Sequence, residues 1–410
     1  MIFEIYIWII CFLAVYVSIF WIIVSSNKEE GKIKRKELPL VTIAIPAYNE
    51  EKSIEKTLKS LTEMDYPNEK LEIIVVNDGS KDKTREKVCN FIKKNKNWNI
   101  SLVNQENKGK GAALNNALKR ANGRYFGVFD ADSIAGKDVL KNMIDYFDSE
   151  KVGAVITAIK VYNPETNVEK IQRLEYIFAS FVRKLMGNVG TLHTTHGVLS
   201  LFNKDVIKKL NGFDEKNITE DFEIAMKLRH SHYEIRMCEE GFCYTQVPGN
   251  FKSLWVQRVR WFRGFMSNNI KYRDMVMNKE YGLLGKFQIP LELITLALVF
   301  ISVGLLGYNG IKYIINLIYK IVILRWEIFD IQINSFKELI LGINWMIFFP
   351  STISLIAGLY LYFKAHYYIK EKWRFHFASF IYLFVYPVLR SMQWIHAFYL
   401  ESSKAKKRWR

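Results

Sequence analysis

The chain has 410 residues and carries 58 Lys and Arg against 41 Asp and Glu, a formal net charge of +17, with hydrophobic residues at 50%. Its four cysteines, Cys11, Cys89, Cys238 and Cys243, show no paired CxxC spacing, which argues against a disulfide framework or a zinc site and fits a reducing compartment. The basic excess belongs to no nucleic-acid recognition motif; it collects at residues 28–36 and 404–410, beside apolar segments, where membrane topology places cations.

Residues 5–24 form a stretch of twenty without a charge, enough helix to cross a hydrocarbon core of about 30 Å. Glu4 before this run and the basic cluster after it favour a retained anchor, amino terminus outside, over a cleaved signal peptide. From residue 38 strand and helix signals alternate. Val41–Ala47, 71–76, 100–103 and Tyr125–Phe129 are short apolar runs, and residues 53–61, 83–94 and 111–120 carry helical spacing. This rhythm predicts an α/β fold, a mainly parallel sheet between helices, with ligands at the carboxyl ends of the strands.

Beyond residue 286 the chain turns apolar again. Residues 293–311 and 339–363 are long enough to span, 313–324 is ambiguous, and 375–389 is short, with Pro387 and Arg390 interrupting its continuation. The expected organisation is an anchor over 1–25, a cytoplasmic domain over 38–286, a membrane region over 287–400 with two to four spans, and a basic tail over 401–410. The basic tail and the basic loop at Lys364, Lys370, Lys372 and Arg374 both ask for the cytoplasm. One straight helix over 375–400 cannot satisfy both; a broken hairpin there, or a fourth span near 311–325, would change the count.

Polar motifs stand where the strands end. Asp130-Ala131-Asp132 follows Tyr125–Phe129 directly, and in extended backbone residues i and i+2 share a face. Two carboxylates so placed suit Mg2+ or Mn2+, which can bridge to a diphosphate; the plain alternative is a solvated loop. Asn77-Asp78-Gly79-Ser80 is a common turn sequence, yet at a strand end Asp78 can accept hydrogen bonds from a base or ribose. Ala47-Tyr48-Asn49-Glu50 ends the first strand likewise, and Tyr48 can stack on a nucleobase. Asn107-Lys108-Gly109-Lys110-Gly111 is either a flexible loop or a turn offering N–H groups and ammonium charge to phosphate. Thr219-Glu220-Asp221 opens a helix over 222–230. Thr as N-cap and acids in the first turn favour any helix; the chemical alternative is a general base for an acceptor hydroxyl. Gln257-Arg258-Val259-Arg260-Trp261 is either a cationic membrane-surface helix or a site where Arg binds a leaving diphosphate and Trp stacks on a sugar. His193 and His196 read as structural.

Taken in order, AYNE at 47–50, NDGS at 77–80, DAD at 130–132, TED at 219–221 and QRVRW at 257–261 resemble the family-2 inverting glycosyltransferases. Within that family the resemblance is to the membrane synthases of poly-N-acetylglucosamine, hyaluronan, chitin and cellulose. It covers residues 38 to about 290, and the flanking apolar segments fit it. It implies a GT-A fold flanked by transmembrane helices, a UDP-sugar donor, and Mg2+ or Mn2+ as cofactor. It implies Tyr48, Glu50 and Asp78 at the uridine, Lys110 on the nucleotide side, and Asp130 and Asp132 at donor and metal. Asp221 would be the base, and Gln257, Arg258, Arg260 and Trp261 would close the site. Asn77 stands where many members have Asp, and residues 195–199 fall where the family places acceptor-facing groups.

The expected activity is inverting hexosyl or N-acetylhexosaminyl transfer to a saccharide acceptor, with an N-acetylglucosamine polymer favoured. The expected place is the cell membrane, multi-pass, with the catalytic domain cytoplasmic. Partners would be the donor, a saccharide or lipid-linked acceptor and the bilayer, with an accessory membrane subunit left open and nucleic acid absent. Three alternatives stand beside it. A non-processive transferase acting on lipid would use the same QxxRW motif. Intact acidic motifs argue against an inactive assembly subunit, and the apolar segments are too few for a transporter.

Overall fold

The computed structural model describes residues 2–26, 37–324, 344–371 and 377–405. The basic residues at 28–36, Lys372, Arg374, the residues after 405 and the start of the 339–363 segment lie outside them. In chain order the elements are α1 (Ile2–Val24), β1 (Val41–Ala47), α2 (Ile54–Thr62), β2 (Leu71–Asp78), α3 (Thr84–Lys94), β3 (Asn99–Gln105) and α4 (Lys110–Arg120). There follow β4 (Tyr125–Phe129), β5 (Ser133–Ala135), α5 (Val139–Ile144), β6 (Val152–Val161), α6 (Asn167–Asn188), β7 (Val198–Asn203) and α7 (Lys204–Lys209). The last are α8 (Glu220–His230), β8 (Glu234–Thr245), α9 (Phe251–Lys271), α10 (Ile289–Leu324), α11 (Trp345–Ile369), α12 (Phe377–Phe380) and α13 (Tyr386–Ser402). They divide into two compact units, residues 28–289 with 365–410, and residues 1–27 with 290–364.

The first unit is built on an eight-stranded sheet ordered β3-β2-β1-β4-β7-β6-β8-β5. β3, β2, β1 and β4 are parallel, β7 enters antiparallel between β4 and β6, β6 and β8 are parallel, and β5 closes antiparallel on β8. Every residue of β2 and β6 is buried, which is why these strands read as near-continuous apolar runs rather than alternating ones. The helical crossovers through α2 and α3 keep β1, β2 and β3 parallel and align their carboxyl ends on one edge. There Ala47 pairs with Asn77, and Asp78 with Gln105. β1 and β4 have the expected bounds. β2 runs two residues further, because β3 pairs with Asn77 and Asp78 and draws them into the sheet.

α12 and α13, joined by a π-helical turn over Ile381–Val385, belong to this unit. The apolar run at 375–389 continues into polar positions that α9 engages. Trp255 Nε1 donates to His396 Nδ1 at 2.9 Å, Arg263 Nε to Glu401 at 3.0 Å, and Phe262 stacks on Trp394 at 3.9 Å.

The second unit holds long apolar helices. Among the described residues three stretches are long and apolar enough to cross a membrane: Ile5–Val24, Leu284–Ile323 and Trp345–Ile369. Exposed Ile9, Phe12, Leu306, Ile311 and Ile356 give these helices faces that lipid accepts and water does not. A few polar contacts join them: the Tyr6 hydroxyl donates to the Leu298 carbonyl at 2.6 Å, and Lys364 to the Ser25 hydroxyl at 2.9 Å. Residues 293–311 and 313–324 are parts of one 36-residue helix, about 54 Å long.

Candidate active site

The strand ends are laced together by side-chain bonds to backbone. Asn49 takes a left-handed conformation at φ 56°, its N–H donates to the Ser80 hydroxyl at 3.0 Å, and its side-chain carbonyl accepts from Lys81 N at 2.8 Å. Glu50 N donates to Thr84 Oγ1 at 2.7 Å. Asp78 organises the next loop. Its carboxylate accepts from Gln105 Nε2 at 2.8 Å and from Lys108 N and Gly109 N at 2.9 Å. Gly79, at φ 72°, lets this happen: a Cβ there would lie 2.9 Å from Asn107 N.

That loop delivers Lys110 to the centre of the site. Its ammonium lies 2.7 Å from Asp130 Oδ1 and 2.9 Å from Glu220 Oε1. Burial disfavours the charge, but Asp130, Glu220 and Asp221 outweigh it and hold the ammonium above the usual lysine value. Asp132 experiences the reverse. Burial, then Asp130 and Glu50, push its carboxyl up to about 7 despite Lys110. Gly197 packs against Asp130: its carbonyl accepts from Asp130 N at 2.8 Å, and a Cβ would overlap the Asp130 carboxylate.

Asp221 sits in the first turn of α8. One carboxylate oxygen accepts from Phe222 N at 2.8 Å, and its carbonyl accepts from the Thr195 hydroxyl at 2.6 Å. Thr219 makes no side-chain cap to α8; its hydroxyl bonds instead with Asn217 and Asn268. A helix-cap role for Thr219 is thereby corrected, because α9 approaches so closely at Gly264 that the hydroxyl is drawn to that helix.

α9 sends its two motif arginines in different directions. Arg260 donates to the Ile218 carbonyl at 2.8 Å and acts electrostatically on Glu220. Arg258 is fully buried, pairs with Glu175 of α6 at 2.7 Å, and lies over the Trp261 ring at 4.1 Å. The side-chain oxygen of Gln257 accepts from Arg258 at 2.5 Å. Glu175 also accepts from the Tyr386 hydroxyl at 2.9 Å and faces Arg390 at 3.4 Å.

The profile described as Glycosyl transferase family 2 matches residues 42–210. Those residues are a family 2 glycosyltransferase domain. The glycosyltransferase is 29% identical over 333 residues to a poly-beta-1,6-N-acetyl-D-glucosamine synthase of Staphylococcus epidermidis, covering 75% of this chain and 79% of that one. It is 35% identical over 266 residues to a protein of the same description from Staphylococcus aureus strain COL, covering 62% and 64%. A solved mannosyltransferase from Pyrobaculum calidifontis, in complex with GDP-Man and Mn2+, is similar with a TM-score of 0.63 at 21% identity, covering 92% of this chain and 98% of that one. That likeness is one of fold, and the fold of the glycosyltransferase is GT-A.

Within the glycosyltransferase, Lys110 is in direct contact with Asp130 and Glu220; Asp132, Asp221 and Arg260 act on members of this group electrostatically, and Glu50 acts on Asp132. Asp78 reaches the site through the loop it holds, Tyr48 is half-buried beside the strand end, and Arg258 is turned to Glu175. Sequence reasoning missed Gly197, Gly264 and Glu175. The first stood as a lone glycine after Thr195-His196; nothing distinguished the other two. For a metal, Asp130 and Asp132 offer only oxygens, the donor type of Mg2+ or Mn2+. Burial first, and then Asp130 and Glu50, disfavour the charge on Asp132, and a divalent cation beside the two aspartates would offset both. No group of three or more His, Cys, Asp or Glu is arranged as a complete site among the described residues, so other ligands would come from a diphosphate and water.

Proposed function

We propose that the glycosyltransferase is a processive inverting synthase that extends an N-acetylglucosamine polymer from UDP-N-acetylglucosamine at the cytoplasmic face of the cell membrane. The likeness to the S. epidermidis poly-beta-1,6-N-acetyl-D-glucosamine synthase over 75% of the chain carries it. The carboxylate cluster around Lys110 supports the chemistry. Tyr48, Glu50 and Asp78 serve the uridine. An acceptor hydroxyl oxygen bonds to sugar C1 as the C1–oxygen bond to diphosphate breaks on the opposite face, inverting that carbon. Asp221 takes the hydroxyl proton, and UDP leaves with the bonding electron pair. Lys110 and Arg260 place positive charge where the diphosphate gains negative charge. Asp130 and Asp132 would hold Mg2+ or Mn2+, whose Lewis acidity stabilises the leaving group. Gln257 and Arg258 support Trp261, whose ring offers a face to the acceptor sugar.

The three helices among the described residues that are long and apolar enough to span support one topology. With the amino terminus outside, the sheet unit falls in the cytoplasm, and the pair α10 and α11 returns the chain to the same side. The basic loop and the basic tail are then both cytoplasmic, as the cation bias asks. The test is membranes incubated with a panel of labelled UDP-sugars, with and without chelator. A polymer made from UDP-N-acetylglucosamine and cut by a β-1,6-specific hexosaminidase is expected, lost in chelator and restored by Mn2+ or Mg2+. A single glycolipid product, or preference for another UDP-sugar, would overturn the assignment.

A further inference from the structure

Gln172, Glu175, Tyr176, Ala179 and Arg183 recur at helical spacing along one face of α6. At one end Glu175 is saturated by Arg258, Tyr386 and Arg390. Eight residues on, about 12 Å along the axis, Arg183 is in the opposite state. Its Nη1 is buried without a hydrogen-bond partner, and no ion pair engages it among the described residues. It nonetheless acts electrostatically on Asp221, Glu175 and Tyr176, and with burial it drives the His196 imidazole down to about 3. Leaving one nitrogen of a charged donor buried without a partner is costly, so its retention calls for a use.

The neighbouring segment supplies matching chemistry. Thr195 binds the Asp221 carbonyl, and on either side of it Thr194 Oγ1 and His196 Nδ1 are buried without partners. Neutral His196 bonds the Thr157 carbonyl through Nε2, which leaves Nδ1 an acceptor. A guanidinium donor, a hydroxyl and an imidazole acceptor beside a general base suit a neutral polyhydroxylated ligand rather than a second anion. We infer that Arg183 is an acceptor-binding residue, donating hydrogen bonds to the terminal saccharide whose hydroxyl faces Asp221. This rests on the polymer-synthase proposal above.

The experiment measures binding of a β-1,6-linked N-acetylglucosamine trisaccharide, in the presence of UDP, to the purified full chain and to Arg183→Gln and Arg183→Lys. UDP affinity and thermal unfolding are measured on the same samples. Loss of a hydrogen bond to a charged group weakens binding about 10- to 100-fold. That loss is expected for trisaccharide with Arg183→Gln, an intermediate loss with Arg183→Lys, and unchanged UDP affinity in both. With transfer as readout, the KM for trisaccharide should rise more than kcat falls. Unchanged trisaccharide affinity, or an equal loss of UDP affinity, would overturn the role of Arg183. Should Arg183→Gln fail to fold, Arg183→Lys decides by the same two affinities. A wild-type chain that neither binds nor extends the trisaccharide would sink the polymer-synthase proposal itself, and this inference with it.

Discussion

Gly197→Ala isolates the geometry of the carboxylate cluster. The φ of Gly197 lies outside the left-handed region, so the backbone tolerates alanine and only space resists it. A Cβ would fall well under 3.0 Å from Cγ and both oxygens of Asp130, a separation real Cβ atoms essentially never show. Relief requires the carboxylate to retreat on the order of 1 Å, and a misplacement of that size can cost about 10²-fold in rate. The same retreat breaks the 2.7 Å ion pair to Lys110. Overpacking of this kind costs about 1–3 kcal/mol of stability. The assay is transfer at saturating donor, with a Mn2+ titration and a melting curve on each preparation. The variant should melt lower but cooperatively, turn over about 10²-fold more slowly, and need more Mn2+. Turnover within about threefold of wild type would refute the reasoning, because a shift of that size at Asp130 would then be harmless to a site built for positioning.

Asp221→Asn should keep UDP affinity and lower transfer about 10²- to 10⁴-fold; retention of more than roughly a tenth of wild-type turnover would remove Asp221 as sole base and leave Glu220 next. Glu175→Ala strands the fully buried Arg258 and should cost about 3–5 kcal/mol in unfolding experiments; a loss under about 1 kcal/mol would mean the pair is dispensable. His196 is held neutral, its pKa pushed from the usual 6.5 to about 3 by burial and then Arg183. A depressed folded-state value contributes stability above pH 6.5 that is lost as pH falls toward 3, about 2 kcal/mol of it by pH 5. His196→Gln, able to donate from the Nε2 position, should flatten the fall in melting temperature between pH 7 and 5; an unchanged slope would assign the acid sensitivity elsewhere.

Local pattern carried most of this structure. β1 and β4 matched their apolar runs because both strands are buried on two faces, and the motifs lay at strand ends because a parallel sheet puts them there. What stayed illegible was tertiary. Glu175 looks like any helix glutamate until Arg258, 83 residues away, is buried against it. Gly197 acquires meaning only from the Asp130 side chain it admits. The stretch after 375 resembled a failed membrane span because its polar partners lie on α9, far back in the sequence. Tyr313–Leu324 was ambiguous because Asn316 and Lys320 lower hydropathy without breaking a helix.

The contact of α13 with α9 carries a consequence for biogenesis. Residues 365–410 belong to the same compact unit as residues 28–289, so two long apolar helices interrupt the enzyme in sequence rather than following it. A ribosome delivers the sheet, the carboxylates and the QRVRW helix first, while Arg263 and Glu175 still lack Glu401, Tyr386 and Arg390. Those partners emerge only after the two intervening apolar helices have been synthesised. The α13 helix therefore acts as a latch, and a molecule stalled before it is made is left with its motif helix unsupported.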